Sequence, residues 1–277
     1  MRGRMKSEVV VIQFPGVNCE YETARALESV GLAARIVRWN AGVDGIRDAA
    51  AIVLPGGFSY QDRIRAGVVA AKDRVMDAVF DAASRGVPVL GICNGAQILV
   101  ESGTVPGFQA GAIDLALAPN RMPDRSGYFC TWVRVKKGPA RCIFTEFLGE
   151  AAEDSGTIPI PLAHAEGRFV TSSKEVARRL ESADGIALFY ARADGSTADS
   201  FPDNPNGSLL AIAGVTNPAG NVLALMPHPE RAAWLHQVPR RVGGHWGSVR
   251  QGAAPDAMFL PGPGRGFFES LRKGLRQ

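Results

Sequence analysis

The sequence is poor in the residues that would tie it together covalently or through a metal. Its 277 residues include four cysteines and four histidines, and Cys19, Cys93, Cys130 and Cys142 show no Cys-x-x-Cys spacing. A disulfide scaffold is excluded by that sparseness, and no structural metal site is expected. Long hydrophobic runs are missing as well. Val9–Ile12, the longest early run, stops at Gln13 and Pro15, short of the ~7–15 apolar residues at the heart of a signal peptide. No stretch approaches the ~18 apolar residues of a spanning helix. These absences lead to the expectation of a cytoplasmic protein with reduced thiols and no membrane partner. There is no Gly-x-x-x-x-Gly-Lys-Ser/Thr phosphate loop, so the chain is not expected to bind ATP itself.

A strong charge of one sign is absent too. Thirty-one Lys and Arg oppose 27 Asp and Glu, a net charge of +4. The excess is confined to the C-terminal stretch, where Pro239–Gln277 holds seven basic residues and two acids. That stretch is broken by Gly and Pro, and the body before it is close to neutral. A nucleic-acid binder would carry a sustained basic face with interleaved aromatics, so no nucleic-acid partner is expected.

What is present is apolar substance, 46% of the residues, enough for a large core without staples. The first third alternates strand and helix signals. Val9–Ile12, Arg35–Trp39, Ala51–Leu54 and Val87–Ile92 read as strands; Glu20–Val30, Ala66–Ser84 and Ala96–Glu101 read as helices. Continuous β-branched runs between helices predict a parallel sheet covered on both faces. Later, Thr131–Val135 alternates like a half-exposed strand, and Leu209–Val215 with Asn221–Met226 predicts a hairpin about the turn Asn217-Pro218-Ala219-Gly220. Residues 238–264 show no sustained periodicity and read as a long surface loop, followed by a closing helix near Phe267–Leu275. The expected fold is α/β, a single domain with a mostly parallel sheet flanked by helices.

Gly91-Ile92-Cys93-Asn94-Gly95 lies between a buried strand and a helix. Glycines two residues to either side of a nucleophile fit the cramped strand-to-helix turn known as a nucleophile elbow, here with Cys in place of Ser. The turn also sets the thiol at a helix N-terminus, where unpaired N–H groups and the dipole favour negative charge. A lone Cys is commonly structural; the paired glycines argue for a nucleophile. Ligands of open α/β sheets bind beyond the carboxyl ends of the strands. There the third strand ends in Pro55-Gly56-Gly57-Phe58, whose backbone can approach a ligand closely, and the hairpin ends in Met226-Pro227-His228-Pro229-Glu230. His228 and Glu230, two apart in an extended segment, project to one side. A carboxylate so placed holds one imidazole nitrogen and leaves the other to take the thiol's proton. Cys19, Cys130 and Cys142 read as structural or incidental.

These strings resemble the three signatures of the class I (triad) glutamine amidotransferases. A narrower resemblance, to the glutaminase subunits of phosphoribosylformylglycinamidine synthases, rests on five further strings. They are Phe14-Pro15-Gly16-Val17-Asn18-Cys19-Glu20, Gly57-Phe58-Ser59-Tyr60-Gln61-Asp62, Arg65-Ala66-Gly67, Ala163-His164-Ala165-Glu166-Gly167 and Met226-Pro227-His228-Pro229-Glu230-Arg231. The resemblance implies a flavodoxin-like fold, with an amidotransferase domain over residues 7–237 and a Gly/Pro-rich insertion plus C-terminal helix over 238–277 decorating it. It implies Cys93, His228 and Glu230 as the catalytic triad, the N–H groups of Gly57 and Asn94 as an oxyanion hole, and Gln97, Gly56 and His164 as substrate contacts. L-glutamine would be hydrolysed, and the ammonia passed to a large synthase subunit carrying ATP and Mg²⁺, with a small accessory subunit; this chain would hold no cofactor or metal.

The chain departs from the family at Gln61 and Ala165, where Gly is usual, at Ala96, where Phe is frequent, and in the insertion at 238–264. Two other readings stand beside this one: a glutaminase serving another amidotransferase, and a non-catalytic redox or regulatory protein on the same scaffold.

Overall fold

The computed structural model describes residues 8–109, 111–182 and 185–276; residue 7, the first of the expected domain, lies outside them. β1 (Glu8–Gln13) leads through α1 (Glu20–Ser29) to β2 (Ala33–Arg38), and the short α2 (Asp44–Arg47) leads on to β3 (Ala51–Leu54). α3 (Val75–Ser84), β4 (Val89–Ile92) and α4 (Asn94–Glu101) follow. The second half contains β5 (Ala116–Pro119), β6 (Phe129–Lys137), β7 (Thr157–His164), β8 (Glu166–Val170), α5 (Lys174–Glu181) and β9 (Ile186–Ala191). The hairpin β10 (Ile212–Thr216) and β11 (Val222–Leu225), then α6 (Gly244–Gly252) and α7 (Arg265–Gly274), complete the chain. Among the described residues no helix is long and apolar enough to cross a membrane.

Nine strands form one sheet in the order β2-β1-β3-β4-β11-β10-β9-β6-β7, and β5 pairs with β8 in a separate ribbon. The first five of these neighbours run parallel, in the flavodoxin-like order 2-1-3-4-5. Val9–Ile12 and Ala51–Leu54 are fully buried, as continuous apolar strands inside a covered sheet must be. The chain moves one way from β1 to β2 and the other way from β3 to β4. Right-handed crossovers therefore set α1 on one face and α3 and α4 on the other. The switch in direction opens a crevice at the C-terminal ends of β1 and β3.

The sheet is mixed rather than mostly parallel, since β11/β10, β10/β9, β9/β6 and β6/β7 all pair antiparallel. The hairpin turn causes the reversal. Asn217 Oδ1 accepts from the N–H groups of Asn221 and Val222 at 3.1 and 3.0 Å, and Gly220 takes a φ of 74°. With β11 parallel to β4, the chain entering through β10 has to run the other way.

Two expected elements change. The helix expected over 66–84 begins only at Val75, because Asp73 is extended and its Oδ1 accepts from the Val75 N–H at 3.1 Å. The stretch before it folds tightly over α4, where a Cβ on Gly67 would stand 2.8 Å from the Gln97 carbonyl carbon. Residues 238–264 are not all loop, since α6 lies within them. That helix is fastened by polar contacts. The Trp246 N–H donates to Glu153 Oε1 and Trp246 Nε1 to the Ala151 carbonyl, at 3.2 and 3.1 Å. Glu153 is itself paired with Arg134.

Candidate active site

The turn from β4 into α4 places Cys93 at φ 50° and ψ −104°, a strained conformation for a residue with a Cβ. Its two glycines have no room for one. A Cβ on Gly91 would meet the Gly95 carbonyl oxygen at 2.5 Å, and one on Gly95 would lie 1.9 Å from that of Leu54. The Cys93 N–H is anchored to the Leu225 carbonyl at 2.7 Å, and Sγ stands 3.6 Å from the Ala163 carbonyl oxygen.

The His228 N–H donates to the Pro161 carbonyl at 2.8 Å. Nδ1 lies 2.5 Å from Glu230 Oε1, so Nδ1 carries a hydrogen and Nε2 is the ring nitrogen left to exchange a proton with a thiol. Both residues are buried. Burial works against a charged His228, but the Glu230 carboxylate and the Cys93 and Cys19 thiols hold the imidazole well above its usual value.

Cys93 sits between two small cavities, of about 30 and 60 Å³. The first brings it together with His228, Cys19 and Arg231; the second with Gln97, His164, Asp62 and Glu166. Gly57, at φ 145°, lines both, and a Cβ there would collide with the Val17 Cα at 2.4 Å. Among the described residues the N–H groups of Gly57 and Asn94 have no acceptor. Gly56 instead abuts the imidazole, since its Cβ would lie 2.7 Å from His228 Cε1. Gln97 Nε2 donates to the Glu166 carbonyl at 2.6 Å, and its Oε1 accepts from Asn94 Nδ2 at 2.8 Å. His164 Nδ1 pairs with Asn120 Oδ1 at 3.0 Å, and burial first, then the charge of His228, push its pKa down to about 3. Ala165 is not among the left-handed residues, so Ala is accommodated there, whereas Gln61 is left-handed at φ 62°. Two larger cavities, of about 530 and 510 Å³, contain no cysteine or histidine.

Three features of this site were not legible as functional in the sequence. Cys19 is not incidental. Its Sγ, a His228 ring nitrogen and a Glu230 oxygen lie within 4.8 Å of one another. Arg231 Nη2 donates to that Sγ at 3.1 Å, so a guanidinium stands where a metal would need room and Nδ1 is already engaged; the set is a hydrogen-bond network. The other two features are the carboxylates of Asp62 and Glu166, whose only signal was their place in two of the family strings.

Residues 6–259 match the CobB/CobQ-like glutamine amidotransferase domain family. The chain belongs to this family. Among amidotransferase relatives, the phosphoribosylformylglycinamidine synthase subunit PurQ of Methanothrix thermoacetophila is 42% identical over 97% of this chain and 98% of its own length. That of Archaeoglobus fulgidus is 39% identical over 87% and 93%. A chain in the structure of PurLQS from Thermotoga maritima superposes with a TM-score of 0.68 at 32% identity, over 97% of this chain and 99% of that one. The glutaminase domain of Trypanosoma brucei CTPS, at 15% identity and a TM-score of 0.51 over 96% and 94%, shares the amidotransferase fold.

Proposed function

We propose that this chain is the glutaminase subunit of a phosphoribosylformylglycinamidine synthase, acting in de novo purine biosynthesis. The observation that carries the reading is the elbow thiol of Cys93 in one small cavity with an imidazole whose Nδ1 is held 2.5 Å from Glu230. The relatives named PurQ supply the assignment to this synthase over other amidotransferases.

Cys93 gives its proton to His228 Nε2 and attacks the side-chain amide carbon of L-glutamine. The N–H groups of Gly57 and Asn94 hold the oxyanion that develops. His228 returns the proton to the departing ammonia, leaving a γ-glutamyl thioester. It then takes a proton from water, which releases glutamate and restores the thiol, while Glu230 keeps Nδ1–H in place throughout. Gln97 positions the glutamine through its hold on Asn94 and the 166 backbone. Ammonia passes to a large synthase subunit that binds ATP and Mg²⁺ and converts the formylglycinamide ribonucleotide amide into an amidine. A small accessory subunit belongs to the same assembly, in the cytoplasm. Residues 7–237 make up the amidotransferase body, and 238–277 decorate it through Trp246 and α7.

The test is ammonia release from L-glutamine by the chain mixed with its synthase partner. Cys93→Ala abolishes glutamine-dependent synthesis while ammonia-driven synthesis persists; unchanged glutamine-dependent turnover overturns the proposal. Against a redox or regulatory role stands the His228–Glu230 pair, which a sensor thiol does not need.

A further inference from the structure

The second cavity beside Cys93 is lined on one side by groups that only accept hydrogen bonds. Asp62, from the turn after β3, and Glu166, the first residue of β8, both line it. Asp62 Oδ1 accepts from Asn94 Nδ2 at 3.2 Å, and Glu166 Oε2 from the Ala66 N–H at 3.3 Å. Arg65, whose charge interacts with Glu166, is engaged by Glu101 through two contacts of 2.8 and 2.5 Å. Among the described residues neither carboxylate has an ion-pair partner. Two carboxylates facing one cavity without a cation repel each other. Burial first, and then Glu166, lift Asp62 to about 6.

His164 supplies the independent observation. It is 3% exposed and lines the same cavity. Asn120 Nδ2 donates to the Gly127 and His164 carbonyls, which leaves Asn120 Oδ1 to accept from His164 Nδ1–H. Nε2 is therefore a bare lone pair, buried without a partner among the described residues. A buried acceptor left unpaired is costly, and a ligand that brings N–H donors and positive charge relieves it and the carboxylate repulsion together.

We infer that Asp62, Glu166 and His164 form a receptor for a primary ammonium group, which, on the glutaminase reading above, is the α-ammonium of L-glutamine. The amide end then lies at Cys93 and the ammonium end on the carboxylates, so the site selects an α-amino acid amide over a plain carboxamide. Charge-assisted hydrogen bonds supply the discrimination. Loss of one such contact lowers binding by about 10- to 100-fold.

The experiment compares L-glutamine with glutaramic acid, the same molecule without the α-amino group, as substrates of the chain in complex with its synthase. The wild-type complex prefers L-glutamine in kcat/KM. In Asp62→Asn, and separately in Glu166→Gln, that preference collapses by about 10- to 100-fold, mostly through KM. An unchanged preference in both variants overturns the receptor. So does a loss that is equal for the two substrates, since that is the mark of a purely structural role. Failure of the wild-type complex to release ammonia from L-glutamine sinks the glutaminase reading instead. Calorimetry on the full Cys93→Ala chain then decides the receptor alone, which requires L-glutamine to bind at least about tenfold more tightly than glutaramic acid and Asp62→Asn to erase the difference.

Discussion

Gly95 lies so close to Leu54 that a Cβ on it would sit 1.9 Å from the Leu54 carbonyl oxygen. The contact joins α4 to β3 directly behind the elbow, so the strained φ of Cys93 is held from both sides. Gly95→Ala must push the helix and strand apart. Overpacking of this kind costs about 1–3 kcal/mol, and the expected result is a lower melting temperature together with loss of glutamine hydrolysis. A variant that melts and turns over like the parent would show that the elbow does not depend on this contact.

Glu230 is the group that orients His228, and it also raises the imidazole's proton affinity. Glu230→Gln keeps the shape and removes the charge. The His228 ionisation, followed by NMR of its ring proton in a sequence with four histidines, moves down in pH. Glutaminase kcat falls by roughly 10²–10⁴-fold, as when the carboxylate of other triads is neutralised. An unshifted His228 titration would remove Glu230 from this role.

The triad was readable because steric rules narrow the residue choice. Only glycine satisfies the approaches at positions 91 and 95, and a strand-end His-x-Glu faces one way. Asp62, Glu166 and Cys19 were not readable as partners of that site, since acids at the ends of elements are ordinary and the folding of β1, β3 and β7 toward one crevice decides their proximity. β7 was obscured by Pro159 and Pro161, tolerated because it is the last strand of the sheet. α6 carried no apolar stripe because hydrogen bonds from Trp246, not packing of an apolar face, attach it. The antiparallel half of the sheet followed from the hairpin, whose turn was recognised but whose effect on its neighbours was not.

His164 ties acid stability to the site. Its pKa is about 3 in the folded chain against ~6.5 unfolded, so the unfolded state binds the proton first. The stability it gives is complete above pH ~6.5 and is lost as pH falls toward about 3, at up to ~1.4 kcal/mol per pH unit. Asp62, raised from 3.8 to about 6, works in the opposite direction between those values, so a comparison of variants is needed to isolate the histidine. Thermal melts of His164→Gln between pH 7 and pH 4.5 should show a shallower loss with acid than the parent. Parallel curves would mean that His164 is protonated in the folded state.

Gln61 occupies a place where the backbone favours glycine. It stands at φ 62° and ψ 26°, between Tyr60 at φ 52° and Asp62 at φ 51°, and among the described residues its side chain hydrogen-bonds only with the exposed Arg63. A left-handed residue with a Cβ costs about 1–2 kcal/mol, while glycine gives back roughly 0.5–1 kcal/mol in unfolded-state entropy. Gln61→Gly should therefore stabilise the chain by up to about 1 kcal/mol, a rise of about 2–4 °C in Tm for a domain of this size. Because the loop also carries Asp62, KM for L-glutamine should hold within about twofold if the substitution relieves strain without moving the loop. A fall in Tm would show that the Gln61–Arg63 contact outweighs the backbone.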